Sequence, residues 1–476
     1  MSLAETDQPL NVAIIGGGFC GILTAINLLQ DAEEYLHIHI VNSEKKIACG
    51  VAYDPHTSNL LLNVPNGNMG AFPDKPGHFL QWLTETNNIP HHEREQLAGE
   101  FSTRKIYGQY LSQLWRDELD KQGYNKRIWV YNDKAVNIIE KDDELQIITT
   151  KYPEITADIV ILATGNDQPN FAAGLDLSLK TNPCYFGDPW KNHCIENVNP
   201  EDDILVIGNG LTMVDTVLGL VENGCKQTIH TISPHGYRLK PWRDAKEPYV
   251  SEEGILDNTS DLTELVSIIN KHRKLADKHG QSIYPVIDSL RPKIQNLWQS
   301  FTMDEKYQFL KKLSAFWDRV RHRLPTQMHN IIEDMRSDNK LVTHKGSVLS
   351  AMPKGDKIEV ILNSEGATKP LTVQRIINCT GPESNITRSS NELLSTLAKN
   401  GTICPGPFNL GINTDPDGCV ISAIGLRKPN LFVVGGNLKG ILWESTAVPE
   451  LRHQAKKMAL HILSEINAKR NPEVVG

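Results

Sequence analysis

The sequence predicts an α/β fold in which two parallel-sheet units share one chain. Three observations carry that expectation. The apolar runs Val12–Ile15 and Ile204–Ile207 each stop at a glycine-rich turn and are followed by a stretch of helical period. The strand-like runs from Ile159 and from Ile376 stop alike, at Thr164-Gly165 and Thr380-Gly381. A chain of 476 residues is also too long for one ordinary core.

Composition narrows the class. The formal net charge of −8 argues against a nucleic-acid surface. No apolar stretch approaches the ~20 residues that span a bilayer. Met1–Pro9 is polar and acidic, so the sequence predicts no secretory signal and a cytoplasmic protein with no membrane partner. The eight cysteines form no C-x-x-C and no His/Cys cluster of metal spacing, so no metal site is expected.

Gly16, Gly18 and Gly21 fit G-x-G-x-x-G between a strand and a helix, with a second strand at His37–Val41. The first glycine permits the tight turn, the second lets a pyrophosphate approach the backbone, and the third lets the helix pack on the sheet. The segment Gly21–Gln30 has a helical face, and its N-terminus, with Phe19 among the expected cofactor contacts, offers N–H groups and a positive dipole to the phosphates. Such a site usually ends its second strand with an acid that accepts from the ribose hydroxyls. Here Asn42 stands there and Glu44 follows, and the sequence does not choose between them.

The second turn is incomplete. Gly208 and Gly210 are present, with Leu211 and Thr212 beside them as candidate cofactor contacts, but Met213 holds the place of the third glycine. Helix and strand are therefore expected to stand further apart, as suits a cofactor that comes and goes. The next strand, Gln227–Ile232, ends at Ser233-Pro-His235 without a carboxylate, and Arg238, Lys240 and Arg243 follow. A 2′-phosphate is attracted by such a group, so the site is read as NADPH-binding. The two turns together predict two dinucleotide-binding Rossmann-like domains and electron transfer between two dinucleotides.

Between Leu262 and Arg336 the pattern turns helical. Thr302 with Glu305 is a capping box, and Phe309, Leu313, Phe316, Trp317, Val320 and Leu324 recur at three and four until Pro325. Leu262, Leu265, Ile268 and Ile269 form a shorter stripe. The aromatic stripe reads as core rather than as a substrate box. In Arg321-His322-Arg323, Arg321 and Arg323 are candidate contacts for a substrate carboxylate, weighed against an ion-pair role.

Further motifs carry a resemblance. They are Gly50-Val-Ala-Tyr53, Leu62-Asn-Val-Pro65, Asn68-Met69, Ala71-Phe-Pro-Asp74, His78-Phe-Leu-Gln-Trp82, Gly210-Leu-Thr-Met-Val-Asp215, Phe316-Trp-Asp318 and Trp443-Glu444 through Arg452. With these the chain resembles the FAD-NAD(P)-binding family of bacterial flavoproteins, related to flavin-dependent N-hydroxylating monooxygenases. The resemblance implies FAD at the first turn and NADPH at the second, with a helical insert in the NADPH domain. It implies FAD contacts from Asn68, Met69, Thr164, Gly165, Gly436, Asn437, Thr446 and Ala447, the last two opening a helix aimed at the flavin pyrimidine edge. Two departures stand out: Asn437 where many flavoproteins carry Asp, and Gly70 where Ser is expected.

The expected domains are 1–180 (first part of the FAD domain), 181–370 (NADPH domain, insert about 258–340) and 371–476 (remainder of the FAD domain). The implied activity is a monooxygenase on the amino group of a small amino acid or amine, with molecular oxygen as co-substrate. The alternatives are an NADPH–flavin reductase without oxygen insertion and a non-catalytic flavin-binding redox sensor. The missing C-x-x-C argues against a dithiol reductase.

Overall fold

The computed structural model describes residues 9–32, 36–54, 59–121, 127–141, 144–191, 194–242 and 261–470. The chain forms two compact units. The first comprises Met1–Pro55, Val64–Asp167 and Ser384–Gly476, and the second His56–Asn63 and Gln168–Glu383.

In the first unit, strand β1 (Leu10–Ile15), helix α1 (Phe19–Asp31) and strand β2 (Leu36–Val41) form a βαβ unit. The sheet has six strands, in the order Cys419–Ile421, Arg427–Val433, Ile159–Leu162, β1, β2, Ile128–Tyr131. Every pairing is parallel except that of the first two strands. Its central strands are apolar without alternation, as Ile159–Leu162 shows by burying all four residues, because a parallel sheet is covered on both faces. The long helix Val448–Arg470 packs on α1. Ile15, Val41, Leu162 and Val433 share a core with Leu393, Leu394 and Leu397 of the helix Glu392–Lys399.

The second unit repeats the plan. Its seven strands run in the order Ala367–Val373, Lys357–Ser364, Leu341–Lys354, Ile229–Ser233, Ile204–Ile207, Arg375–Asn378, Tyr185–Phe186. The last five are mutually parallel, and the first three form an antiparallel meander. The helix Leu211–Glu222 follows the turn at Gly208.

The unit boundaries differ from those expected at 180 and 371. The chain changes units after Asp167 and after Glu383, each just past a Thr-Gly strand end. Arg375–Asn378 pairs with Ile204–Ile207, which holds it in the second sheet. A short excursion also went unforeseen: Asn59 donates to Glu222 Oε1 at 2.7 Å, and Trp242 Nε1 donates to the Asn63 carbonyl at 3.0 Å.

The insert is helical, but its aromatic stripe does not form one helix up to Pro325. Leu313 ends the helix Met303–Lys312 and opens Ser314–Arg321. Phe316 is exposed, whereas Val320 and Leu324 are buried. The segment Arg323–Leu324 is extended and pairs with Lys240–Pro241. Pro325 disfavours a helical residue before it, and this ladder supplies the extended partner.

The capping box at Thr302 is formed. Thr302 Oγ1 accepts from Glu305 N–H at 3.3 Å, and Glu305 Oε2 accepts from Thr302 N–H at 2.8 Å. Glu305 Oε1 also accepts from Leu262 N–H at 2.8 Å, capping a second helix. The Leu262 N–H, then the Thr302 hydroxyl and N–H, hold the Glu305 carboxyl down to about 2. Thr302→Ala is expected to cost about 1 kcal/mol in urea unfolding at neutral pH. Because the folded pKa is depressed, the Glu305 contribution is complete above its usual value of 4.5 and lost as pH falls toward about 2. The stability gap between wild type and Glu305→Gln should therefore close over that window.

Candidate functional site: two glycine turns

The two turns share one hydrogen-bond scheme. Gly16 N–H donates to Val41 O at 2.8 Å, and Gly208 N–H to Ile232 O at 2.8 Å. Ala163 N–H donates to Ile15 O at 2.9 Å, and Cys379 N–H to Ile207 O at 2.7 Å. Helical bonding begins with Ile22 N–H on Gly18 O at 3.0 Å, and with Val214 N–H on Gly210 O at 3.3 Å. The N–H groups before those residues have no acceptor inside the helix and face out of its positive end.

The glycines of each turn divide into two kinds. Gly16 has φ +115° and Gly208 φ +123°. A Cβ on either would overlap the facing carbonyl, 2.8 Å from Ala163 C or 2.6 Å from Cys379 C. These two are required by the fold. Gly18 is different: its Cβ would meet nothing nearer than Gly50 Cα at 3.7 Å. A Cβ on Gly210 would meet nothing within 4 Å. The protein itself leaves room there, beside the helix end, which is where a pyrophosphate must approach the backbone. The residues present thus fit a dinucleotide phosphate at both turns.

The third position separates the turns. A Cβ on Gly21 would overlap Gly16 O. Met213 carries a buried side chain at that place, so the second turn cannot repeat the contact that Gly21 permits.

Around the first turn the chain is tightly bound. Asn42 Oδ1 accepts from Gly17 N–H at 3.0 Å, and Asn42 Nδ2 donates to Glu44 O at 2.7 Å and Lys46 O at 3.3 Å. Asn42 thus locks the turn, with both its donors committed, while Glu44 is exposed. Asn437 Nδ2 donates to Thr164 Oγ1 at 2.9 Å and Gly165 O at 3.3 Å, joining two strand ends. A Cβ on Gly436 would overlap Asn166 Oδ1. Gly435 N–H donates to Gln454 Oε1 at 3.2 Å. Asp at 42 or 437 could make none of these amide donations. Nor does Ser fit at 70, since a Cβ there would lie 2.5 Å from Lys75 O.

Asn68 and Met69 end a short turn clamped from both sides. Arg452 Nη1 donates to Asn68 O at 3.3 Å and Gly70 O at 2.9 Å. The Tyr107 hydroxyl donates to Met69 O at 2.9 Å. Burial pushes the Tyr107 hydroxyl up, so it stays protonated and donating. Phe19 buries its ring against Tyr53 and Tyr107. Thr446 and Ala447 immediately precede the helix Val448–Arg470. Tyr107 and Gln454 were not singled out in the sequence, and Arg452 stood there only as the end of a motif; its partners Asn68 and Gly70 lie 384 and 382 residues away and leave no local signal.

At the second turn, Leu211 and Thr212 open the helix and are half-buried. Ser233 Oγ accepts from Gly236 N–H at 3.1 Å. His235 stacks on Tyr237 at 5.0 Å, and Arg238 lies 3.6 Å from Glu333. Arg243 lies outside the described residues. The structure brings both candidate substrate arginines to Asp288, with Arg321 at 3.9 Å and Arg323 at 2.5 Å. Arg323 is also stacked on Trp242, 3.7 Å from the ring centre. That is the ion-pair arrangement weighed against substrate contact.

None of the eight cysteines is bonded to another. Burial pushes the thiols nearest the turns, Cys20 and Cys379, up to about 12. Neither is a thiolate at neutral pH. Among the described residues no group of three or more metal ligands occurs, and no helix is long and apolar enough to cross a membrane.

Two predictions follow from this geometry. Gly16→Ala should fail to fold or lose about 3 kcal/mol, whereas Gly18→Ala should keep its circular dichroism and lose bound flavin by about tenfold or more in affinity. Asn42→Asp, although it restores the acid usual for such sites, should lower stability by about 1–3 kcal/mol, read by urea unfolding, because two carbonyls lose their donor.

Among curated proteins none matches the sequence. Solved structures match across nearly the whole chain. The ornithine N-hydroxylase of Kutzneria sp. 744 superposes with a TM-score of 0.65 at 13% identity, over 96% of this chain and 99% of that one. The ornithine hydroxylase of Pseudomonas aeruginosa gives 0.66 at 14% identity, over 96% and 99%. The L-lysine 6-monooxygenase of Pseudomonas syringae gives 0.62 at 14% identity, over 95% and 99%. At such identities the likeness is one of fold. The sequence profile of the FAD-NAD(P)-binding family matches residues 13–167, the stretch that holds the complete glycine turn, Asn42, Asn68 and Thr164.

Proposed function

We propose that the chain is an FAD-dependent, NADPH-using monooxygenase that hydroxylates the amino group of a small amino acid or amine. The observation that carries this reading is the pair of turns, each with its middle glycine open toward a helix N-terminus. The likeness in fold to enzymes named as ornithine hydroxylases and as an L-lysine 6-monooxygenase supports the substrate class.

In this reading Gly16, Gly18, Phe19 and Gly21 hold the FAD pyrophosphate through the first N–H groups of α1. Gly165, Gly436 and Asn437 line its ribityl side, and Asn68 and Met69 its ring. Thr446 and Ala447 open a helix whose positive end stabilises negative charge on the flavin. A bound FAD supplies the exchange of an electron pair with the nicotinamide and with oxygen. The chain's own part is placement. Arg452 and Tyr107 fix the Asn68–Gly70 backbone, and the buried aromatic cluster of Phe19, Tyr53, Phe79 and Tyr107 excludes water behind it. Gly208 and Gly210 receive NADPH at the looser turn.

The net reaction balances without a protein redox group. One amine R–NH2, one O2, one NADPH and one proton give R–NHOH, NADP+ and water. One oxygen atom enters the N–H bond, and the other leaves as water with the hydride and the proton. Dithiol reductase chemistry would need a paired thiolate beside the flavin, and the Cys20 thiol is pushed the other way.

Purified protein should oxidise NADPH in the presence of oxygen and ornithine, lysine or cadaverine, releasing one hydroxylamine per NADPH. Turnover that needs only an artificial electron acceptor, with no hydroxylamine from any amine, would replace this reading with a simple reductase.

A further inference from the structure

We propose that Arg319, carried by the helical insert, and Lys345, in register with Ser233 on the neighbouring strand Leu341–Lys354, form the seat for the 2′-phosphate of the nicotinamide dinucleotide. The inference rests on the reading that the second glycine turn binds that dinucleotide. In a βαβ unit of this kind the adenosine ribose lies off the end of the second strand. Here that strand is Ile229–Ser233, and Ser233-Pro234-His235 brings no carboxylate to meet a free 2′-hydroxyl.

The loop after Ser233 is tied to the turn itself. Asn209, between Gly208 and Gly210, donates its Nδ2 to Tyr237 O. A phosphate at Gly210 therefore has this loop as its neighbour. Arg238, the cation that the sequence offers first, is drawn to Glu333 at 3.6 Å.

Two other cations reach the loop from elements distant in sequence. The Arg319 guanidinium, on the helix Ser314–Arg321, lies 5.1 Å from the Tyr237 ring centre. Tyr237 stacks in turn on His235 with 18° between the planes. Lys345 pairs in register with Ser233, and a Cβ on Gly236 would lie 3.0 Å from Lys345 Cβ. Among the described residues, neither Arg319 nor Lys345 lies within ion-pair distance of a carboxylate. Both charges are thus available to a ligand. A guanidinium and an ammonium suit a phosphate monoester, the first through its planar fork and the second as a mobile point charge. The Tyr237 face holds the guanidinium in place without neutralising it.

The test is isothermal titration of the full, FAD-loaded chain with 2′,5′-ADP and with 5′-ADP. Wild type should bind 2′,5′-ADP more tightly by about tenfold or more. Arg319→Ala and Lys345→Ala should each weaken 2′,5′-ADP by about tenfold and leave 5′-ADP unchanged, and Arg319→Lys should recover part of the loss. Unchanged 5′-ADP binding and an unchanged flavin spectrum separate a lost phosphate contact from a disturbed fold. Wild-type preference retained in Arg319→Ala, or a loss shared equally by 5′-ADP, overturns the proposal. If wild type binds both nucleotides equally, the phosphate seat is wrong and the second turn still stands. If it binds neither, the reading of the second turn falls with the proposal.

Discussion

Both halves of this protein depend on one close approach: a glycine turn pressed against the end of the next strand. At Gly16 the neighbour is the Ala163 carbonyl, and at Gly208 it is the Cys379 carbonyl. Positive φ and the absence of a Cβ are both needed there. The contact explains why both facing strands close on Thr-Gly, since the chain must leave the sheet at once. It also sets each helix with its N–H groups directed outward from the sheet edge. The binding geometry is thus a by-product of a packing constraint.

The same constraint makes the two turns unequal. In the first, Gly21 lets α1 stand against the Gly16 carbonyl, and Asn42 closes the loop with three hydrogen bonds. In the second, Met213 fills that space with a buried side chain, and the loop is held by Asn209 on Tyr237. A rigid seat suits a cofactor that stays through many turnovers, and a looser one suits a cofactor that must leave after each. The thiols beside the turns stay protonated, so the chemistry is left to the dinucleotides and to what they meet.

Much of this was legible in the sequence because it is local. The strands at Val12, Ile159 and Ile204, both glycine turns and the Thr302 capping box were read from residue type and spacing alone. What escaped was non-local. The boundary expected at 371 moved past Glu383 because Arg375–Asn378 pairs with a strand about 170 residues earlier. The stripe toward Pro325 is not helical to its end because Arg323 is held by Lys240, Trp242 and Asp288. Asn42 and Asn437, read as departures from a usual acid, are amides because carbonyls face them. Gly70 is fixed by the backbone of Lys75 and Pro76. The clamp of Arg452 on Asn68 spans most of the chain.

The central claim is that one turn retains a flavin and the other admits a reductant to it. Anaerobic titration of the purified, gel-filtered protein with NADPH, followed through the visible flavin band, tests it most directly. The account predicts flavin that stays with the protein and is bleached by one equivalent of NADPH, with the colour returning when oxygen is admitted. Protein that carries no flavin, or flavin that NADPH leaves oxidised, would contradict it.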